Sequence, residues 1–131
     1  MSDIWQVPEQ FRGIYAHSRE AAAGSRLLFI SGQFGVAPDG SLASDFAAQT
    51  EQAMTNVELL LGHAGMTRAN LVKLSYFVTR TDDLATLGEI RRRRWSQTEP
   101  PAVTVLVVAG LARADYLVEI EAIAASDGLD V

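Results

Sequence analysis

The segment from Phe46 to Ala64 carries a single stripe at helical spacing. Phe46, Thr50, Ala53, Met54, Val57, Leu60, Leu61 and Ala64 recur at steps of three and four. Ser44 or Asp45 stands where an N-cap belongs, and Gly65 where a left-handed C-terminal cap belongs. A second helix is predicted from about Leu84 to Gln97. Thr81-Asp82-Asp83 supplies cap residues before it, and Pro100-Pro101 ends it, because proline cannot continue a helix.

Elsewhere the pattern is that of strands. Residues 26–34 form an apolar and aromatic run ending in small residues, which reads as a buried strand, followed by a Pro38-Asp39-Gly40 turn. From Leu71 to Arg80 the chain alternates, with Val72, Leu74, Tyr76 and Val78 on one face and Lys73, Ser75 and Thr79 on the other. Residues 103–108 are rich in β-branched side chains and read as a central strand. A last strand is predicted over 116–125, joined to it by a hairpin-type connection at Gly110 to Asp115, and a short strand is predicted near Gly13 to Ser18.

The resulting order, β-β-α-β-α-β-β, has too few helices to cover both faces of the sheet. The expected architecture is therefore α+β, a mixed sheet with two helices on one face, in a single domain spanning 1–131. In the last strand Val118, Ile120, Ala122 and Ala124 suit packing under helices. Leu117, Glu119, Glu121, Ile123 and Ala125 face the other way. The strand at 103–108 is apolar on both faces. A second face this apolar calls for cover, and another copy of the chain is the expected cover, with ligand pockets where copies meet.

Composition narrows the chemistry. The chain has 131 residues, no cysteine, and a formal net charge of -5. Thiolate nucleophiles, disulfides, Cys-ligated zinc and iron–sulfur clusters are excluded. Its 11 basic residues are ten arginines and Lys73, and four of the arginines form the run Arg91 to Arg94. That acidic balance argues against a nucleic-acid surface. No apolar stretch is long enough to span a membrane, and Met1 to Trp5 do not read as a signal peptide, so the expected location is cytoplasmic.

Glu119 and Glu121 are the candidates for acid–base work, since a carboxylate among apolar neighbours loses solvation and its pKa rises. The alternative is that both pair with arginines across an interface. Ser31-Gly32 ends a buried strand: the glycine permits close backbone approach to a ligand and Ser31 can hydrogen-bond one, or the pair marks a bulge or strand terminus. Tyr15 and His17 are hydrogen-bond donors near the first predicted strand, or surface residues. Two histidines, His17 and His63, far apart in sequence, offer no transition-metal set, and no metal or cofactor is expected. The arginine run is either a solvated helix face with internal ion pairs or a carboxylate clamp, because guanidinium binds carboxylates in a bidentate fork.

Gly13-Ile14-Tyr15, the segment Leu28-Phe29-Ile30-Ser31-Gly32-Gln33, Asn56-Val57, Pro101-Ala102 and above all Val118-Glu119-Ile120-Glu121-Ala122-Ile123-Ala124, together and in this order, resemble the RidA (YjgF) family. The resemblance runs from Gly13 to Ala125. It implies a chorismate-mutase-like fold, a homotrimer, and small-molecule sites in the clefts between subunits. The family's type member is an enamine/imine deaminase. In active members an arginine after the Pro-Ala pair clamps the substrate carboxylate. A water held by a glutamate matching Glu119 attacks the imine carbon, ammonia leaves and a 2-oxo acid remains. Tyr15 and Ser31 match residues lining the same cleft.

The sequence departs from this pattern at its centre. Val103 follows Pro101-Ala102 where the deaminase has arginine, Gly88 stands for an asparagine, and Val105 stands where some members have cysteine. Valine can neither donate a hydrogen bond nor carry charge. The expectation is a cleft that binds a small imine, enamine or 2-oxo-acid-like ligand, with Glu119 as its catalytic residue and little activity on 2-iminopropanoate. Tyr15, Ser31, Gly32, Gly88, Val103 and Val105 would form the binding cleft. Arg91 and Arg92, three and four residues after Gly88, share its helical face and could supply the missing cation. Two alternatives remain: a non-catalytic small-molecule-binding or regulatory trimer, and a ribonuclease or translation inhibitor, which the acidic balance disfavours. A Glu119 sealed in an ion pair would favour binding over hydrolysis.

Overall fold

The computed structural model describes residues 6–126; the Met1–Trp5 segment lies outside the described residues. Four strands, β1 (Leu27–Gln33), β2 (Leu71–Val78), β3 (Ala102–Val107) and β4 (Val118–Ala125), form one sheet in the order β1-β4-β2-β3. Two helices, α1 (Phe46–His63) and α2 (Leu84–Trp95), accompany it. The β1–β4 and β2–β4 pairs are antiparallel and the β2–β3 pair is parallel, so the sheet is mixed.

Both helices lie on one face. Met54, Val57 and Leu61 of α1 and Leu87, Ile90 and Trp95 of α2 form one buried cluster with Ile30, Leu74, Tyr76, Val78, Val118, Ile120, Ala122 and Ala124 of the sheet. The alternation read in β4 is the observed one: Val118, Ile120, Ala122 and Ala124 are buried, and the residues between them are half-buried or exposed. Asp45, not Ser44, caps α1, its Oδ1 accepting from Ala48 N at 2.8 Å. At the other end Gly65 has φ +74, the left-handed conformation that glycine adopts freely.

Four expectations are corrected. The predicted β3–β4 hairpin does not form. β3 returns after α2 to pair parallel beside β2, and β4 inserts between β1 and β2. A strand–helix–strand unit places its strands parallel, and the short loop to β4 carries no pairing information against that. The strand near Gly13 to Ser18 reduces to one bridge, Ala16 to Ala102, since β3 is an edge that this segment touches only once. Thr81-Asp82-Asp83 forms a 3-10 turn before α2, with no side-chain cap, while Asp83 pairs with Arg80 at 2.8 Å. In β2 the register slips between Leu71 and Lys73, so Leu71 rather than Val72 joins the core.

Among the described residues nothing covers the second face of the sheet. Leu27 (54%), Phe29 (69%) and Leu106 (47%) are exposed there. Phe29 stands opposite Ile123, and Leu106 opposite Phe77, so the apolar surface runs across the sheet.

Candidate functional site

The candidate residues fall into two groups on opposite sides of the sheet. On the uncovered side, β1 and β4 lose register between Ile30 and Gln33, which leaves Ser31 and Gly32 as a bulge beside Glu121. The backbone at Gly32 is approached closely, but by Glu119: a Cβ built there would lie 1.7 Å from Glu119 Oε2. The glycine is needed for space, since its φ is not in the left-handed region. Ser31 is exposed, and its carbonyl accepts from Gln33 Nε2 at 3.0 Å.

Glu119 is half-buried on β4 with Phe77 opposite it on β2. Partial burial, and then the charge of Glu121 two residues on, raise its carboxyl above the ordinary glutamate value. Among the described residues neither glutamate pairs with an arginine: the ion pairs are Arg80–Asp83, Arg93–Glu51, Arg94–Glu51, Arg94–Glu58 and Arg113–Asp115. Glu121 instead borders a depression of about 260 Å³ on the uncovered face, with Phe29, Ser31, Lys73 and Ser75 around it. Lys73 Nζ donates to Thr104 Oγ1 across β2 and β3 at 2.7 Å.

On the helical side a groove of about 560 Å³ runs between α2 and the edge strand β3. Its lining joins Gly88, Arg91 and Arg92 of α2 to Val105 of β3, four residues singled out in sequence. Gly88 contributes by having no side chain, for a Cβ there would meet nothing within 4 Å. Val103 stands opposite Leu74 and packs against the core on the same side of β3. Tyr15 is half-buried, ring against ring with Phe11 at 6.0 Å and with His17 at 5.8 Å. Phe11 in turn lines the groove, and with Ile14 it was missed in the sequence because the segment before β1 has no periodicity. Leu84 was also missed, although it lies four residues before Gly88 and hence on the same helical face.

The arginine run divides in two. Arg93 and Arg94 are structural: Arg93 pairs with Glu51, and Arg94 bonds Glu51 Oε1 at 3.0 Å and Glu58 Oε1 at 2.8 Å, tying α2 to α1. Trp95 Nε1 donates to the second oxygen of Glu58 at 2.8 Å. Burial pushes Glu51 up, but the two arginines outweigh it and hold its carboxyl below the ordinary value. Arg91 and Arg92 reach the other way, to carbonyls of the N-terminal segment. Arg91 Nη2 donates to Ile14 O at 3.3 Å and Arg92 Nη2 to Gln10 O at 2.7 Å. Arg91 is buried, with its guanidinium carbon 4.7 Å from the centre of the Tyr76 ring. Burial pushes the Tyr76 phenol up to about 12, with Arg91 opposing.

Within one chain, then, Glu119 and the α2–β3 groove open on different sides. Among the described residues no group of three or more His, Cys, Asp or Glu side chains is placed to hold a metal, and no helix is long and apolar enough to cross a membrane.

Known proteins share the sequence pattern and the fold of this chain. The family model described as endoribonuclease L-PSP matches residues 9–126. A RutC family protein of Aquifex aeolicus is 34% identical over 107 residues, covering 79% of this chain and 86% of its own. The fold is similar to that of the Rid-family protein YyfB from Yersinia pestis, with TM-score 0.80, 31% identity and 91% of each chain covered. It is also similar to Escherichia coli TdcF solved with bound serine, with TM-score 0.73, 30% identity, and 86% and 88% of the two chains covered. A family match over nearly all the described residues, joined to relatives of this identity and to the shared mixed sheet with two helices, shows that the chain belongs to the RidA/YjgF family.

Proposed function

We propose that this protein is a homotrimeric imine or enamine hydrolase whose sites lie between subunits and whose substrate differs from 2-iminopropanoate. The observation that carries the reading is Glu119. Its carboxylate lies against the Gly32 backbone, is partly desolvated, and enters no ion pair among the described residues. A carboxylate so placed can accept a proton from water as the water oxygen adds to the C=N carbon. The resulting carbinolamine loses ammonia after proton transfer to nitrogen, so imine and water become carbonyl compound and ammonia.

The trimer is supported by two features. Leu27, Phe29 and Leu106 leave an apolar sheet face without cover. Glu119 and the α2–β3 groove, which a single chain keeps apart, can serve one ligand only where two copies meet. TdcF, solved with bound serine, offers a precedent for a small amino-acid ligand in a similar chain. Weak action on 2-iminopropanoate follows from Val103, which leaves the position after Pro101-Ala102 without a cation.

A generator of 2-aminoacrylate coupled to pyruvate detection tests the catalytic half. Turnover is expected near the uncatalysed rate with this substrate, whereas imines of bulkier 2-oxo acids are expected to be hydrolysed in a Glu119-dependent manner. Turnover of 2-iminopropanoate at the level of the active deaminases would overturn the substrate reading. Hydrolysis unaffected by Glu119→Gln would overturn the mechanism. The non-catalytic binding trimer would call for Glu119 paired with an arginine of a neighbouring copy, and the net charge of -5 disfavours the ribonuclease reading.

A further inference from the structure

The α2–β3 groove holds a buried cation that, among the described residues, is paired with no carboxylate. Arg91 is only 9% exposed, and among the described residues it enters no ion pair. Its neighbours are the Ile14 carbonyl and the Tyr76 ring and hydroxyl, all uncharged while the phenol keeps its proton. The two arginines that follow it along the chain past Arg92 both have glutamate partners, so the fold pairs its arginines where a partner is wanted. Withdrawing a guanidinium from water without a counter-charge is costly, and the cost is offset when an anion arrives.

The guanidinium is also presented to the groove. No buried side-chain nitrogen or oxygen among the described residues lacks a partner. The nitrogens of Arg91 that bond neither Ile14 nor Tyr76 are therefore accessible, and Arg91 lines the groove. The rest of the lining is mainly apolar, with Leu84, Leu87 and Gly88 on the helix and Val105 and Val107 on the strand. Two other charged residues border it. Glu89 is exposed at the helix surface, and Arg92 is exposed with its guanidinium on the Gln10 carbonyl. The volume, about 560 Å³, lies within the range of small-molecule sites.

We propose that this groove binds carboxylates that carry a bulky apolar or aromatic group, the carboxylate on the Arg91 guanidinium and the apolar body along Val105, Val107 and the notch at Gly88. The proposal rests on the reading of the groove as part of the ligand cleft, and not on hydrolysis. It reassigns the carboxylate anchor from the strand, where Val103 stands, to the helix. Moving the anchor while removing the side chain at position 88 lengthens the apolar part of the cleft, which is the geometric reason for a larger ligand.

The test uses the full chain and the probe 3-phenylpropanoate, followed by calorimetry and by amide shifts of α2 and β3. Saturable binding is expected. Propanoate, which lacks the ring, and 3-phenylpropanamide, which lacks the charge, should each bind at least about tenfold more weakly, the scale of one charge-assisted hydrogen bond or one buried ring. Arg91→Gln should weaken the probe by a similar factor. Because Arg91 is buried, Gly88→Leu provides a second variant: a Cβ there meets nothing within 4 Å, so the added side chain enters the open groove, and binding should be lost. The proposal is overturned if the wild-type chain does not bind the probe at millimolar concentration. It is equally overturned if propanoate or the amide binds as well as the probe, or if a folded Arg91→Gln or Gly88→Leu variant binds it unchanged. Probe binding without any imine hydrolysis would sink the catalytic reading alone, and hydrolysis without probe binding would sink this one alone.

Discussion

Glu119 Oε2 fills the space that a side chain at Gly32 would need, 1.7 Å from the ideal Cβ position. The two residues are locked together across β1 and β4 by a bulge that places Ser31 and Gly32 beside the glutamates. Gly32→Ala therefore forces Glu119 to a different rotamer rather than breaking the backbone, because the clashing atoms belong to its side chain. The expected stability loss is modest, about 1 kcal/mol for an off-rotamer adjustment. The expected loss of Glu119-dependent hydrolysis is at least about tenfold, since a displaced base loses its alignment. Thermal unfolding and steady-state kinetics on the same variant separate the two effects.

That contact shows what a sequence can and cannot reveal. The alternation of Val118, Glu119, Ile120 and Glu121 declared which side of β4 faces the helices, because strand periodicity is local. The α1 stripe, its aspartate cap and Gly65 were legible for the same reason. Strand order was not, because pairing is decided by contacts distant in sequence: β4 lies between β1 and β2 although β3 immediately precedes it. The split of the arginine run was also hidden. It depends on Glu51 and Glu58 of α1 standing beside one flank of α2, and on the Gln10 and Ile14 carbonyls beside the other.

The pH dependence of stability should carry the mark of Glu119. Its carboxyl is raised in the folded chain by burial and then by Glu121, so the folded state binds a proton that the unfolded state has already released. Stability contributed by this group is present below its ordinary value of 4.5 and falls as pH climbs through the folded value. Glu119→Gln should therefore be more stable than the wild-type chain at neutral pH, with the advantage vanishing below the ordinary value. Unfolding midpoints of both proteins across that range would check this. A constant difference at every pH would count against it.

The α1–α2 tie behaves with the opposite sign. Glu51 is held below its ordinary value of 4.5 because Arg93 and Arg94 outweigh its burial. The stability it brings is present above that value and lost as pH falls through the lowered one. Arg94 reaches Glu51, Glu58 and the Glu51 carbonyl while mostly buried, whereas Arg93 is exposed. Arg94→Met is expected to cost about 2 kcal/mol, as for buried hydrogen bonds to charged groups. Arg93→Gln should cost under about 0.5 kcal/mol, as for an exposed pair. Denaturant titrations of the two variants would give the contrast.

Gly88 tests whether the open groove is a feature of ligand binding rather than of folding. A glycine inside a helix costs roughly 0.5–1 kcal/mol relative to alanine. No neighbour requires it, since a Cβ would meet nothing within 4 Å. Gly88→Ala should therefore raise stability by that amount, and equilibrium unfolding would measure it. A loss of stability instead would show that the position serves packing between copies.

Val103 decides the remaining question, whether this fold keeps the capacity for the deaminase reaction. It lies on the edge strand β3, half-buried, two residues before the Val105 that lines the groove and on the same side of the strand. An arginine there could lay its methylenes along the edge and carry its guanidinium toward the groove. Val103→Arg is expected to cost about 1–2 kcal/mol of stability through overpacking against Leu74 and its neighbours. It should raise hydrolysis of 2-iminopropanoate at least about tenfold, because a bidentate clamp restores the orientation of a small carboxylate. The same change should weaken 3-phenylpropanoate, because an arginine carried toward the groove would lie over Val105, where the ring packs. Pyruvate release and probe affinity measured on one preparation would distinguish a gain of the small-substrate reaction from a general change in the cleft. A folded Val103→Arg variant with neither effect would mean that position 103 does not govern substrate choice here.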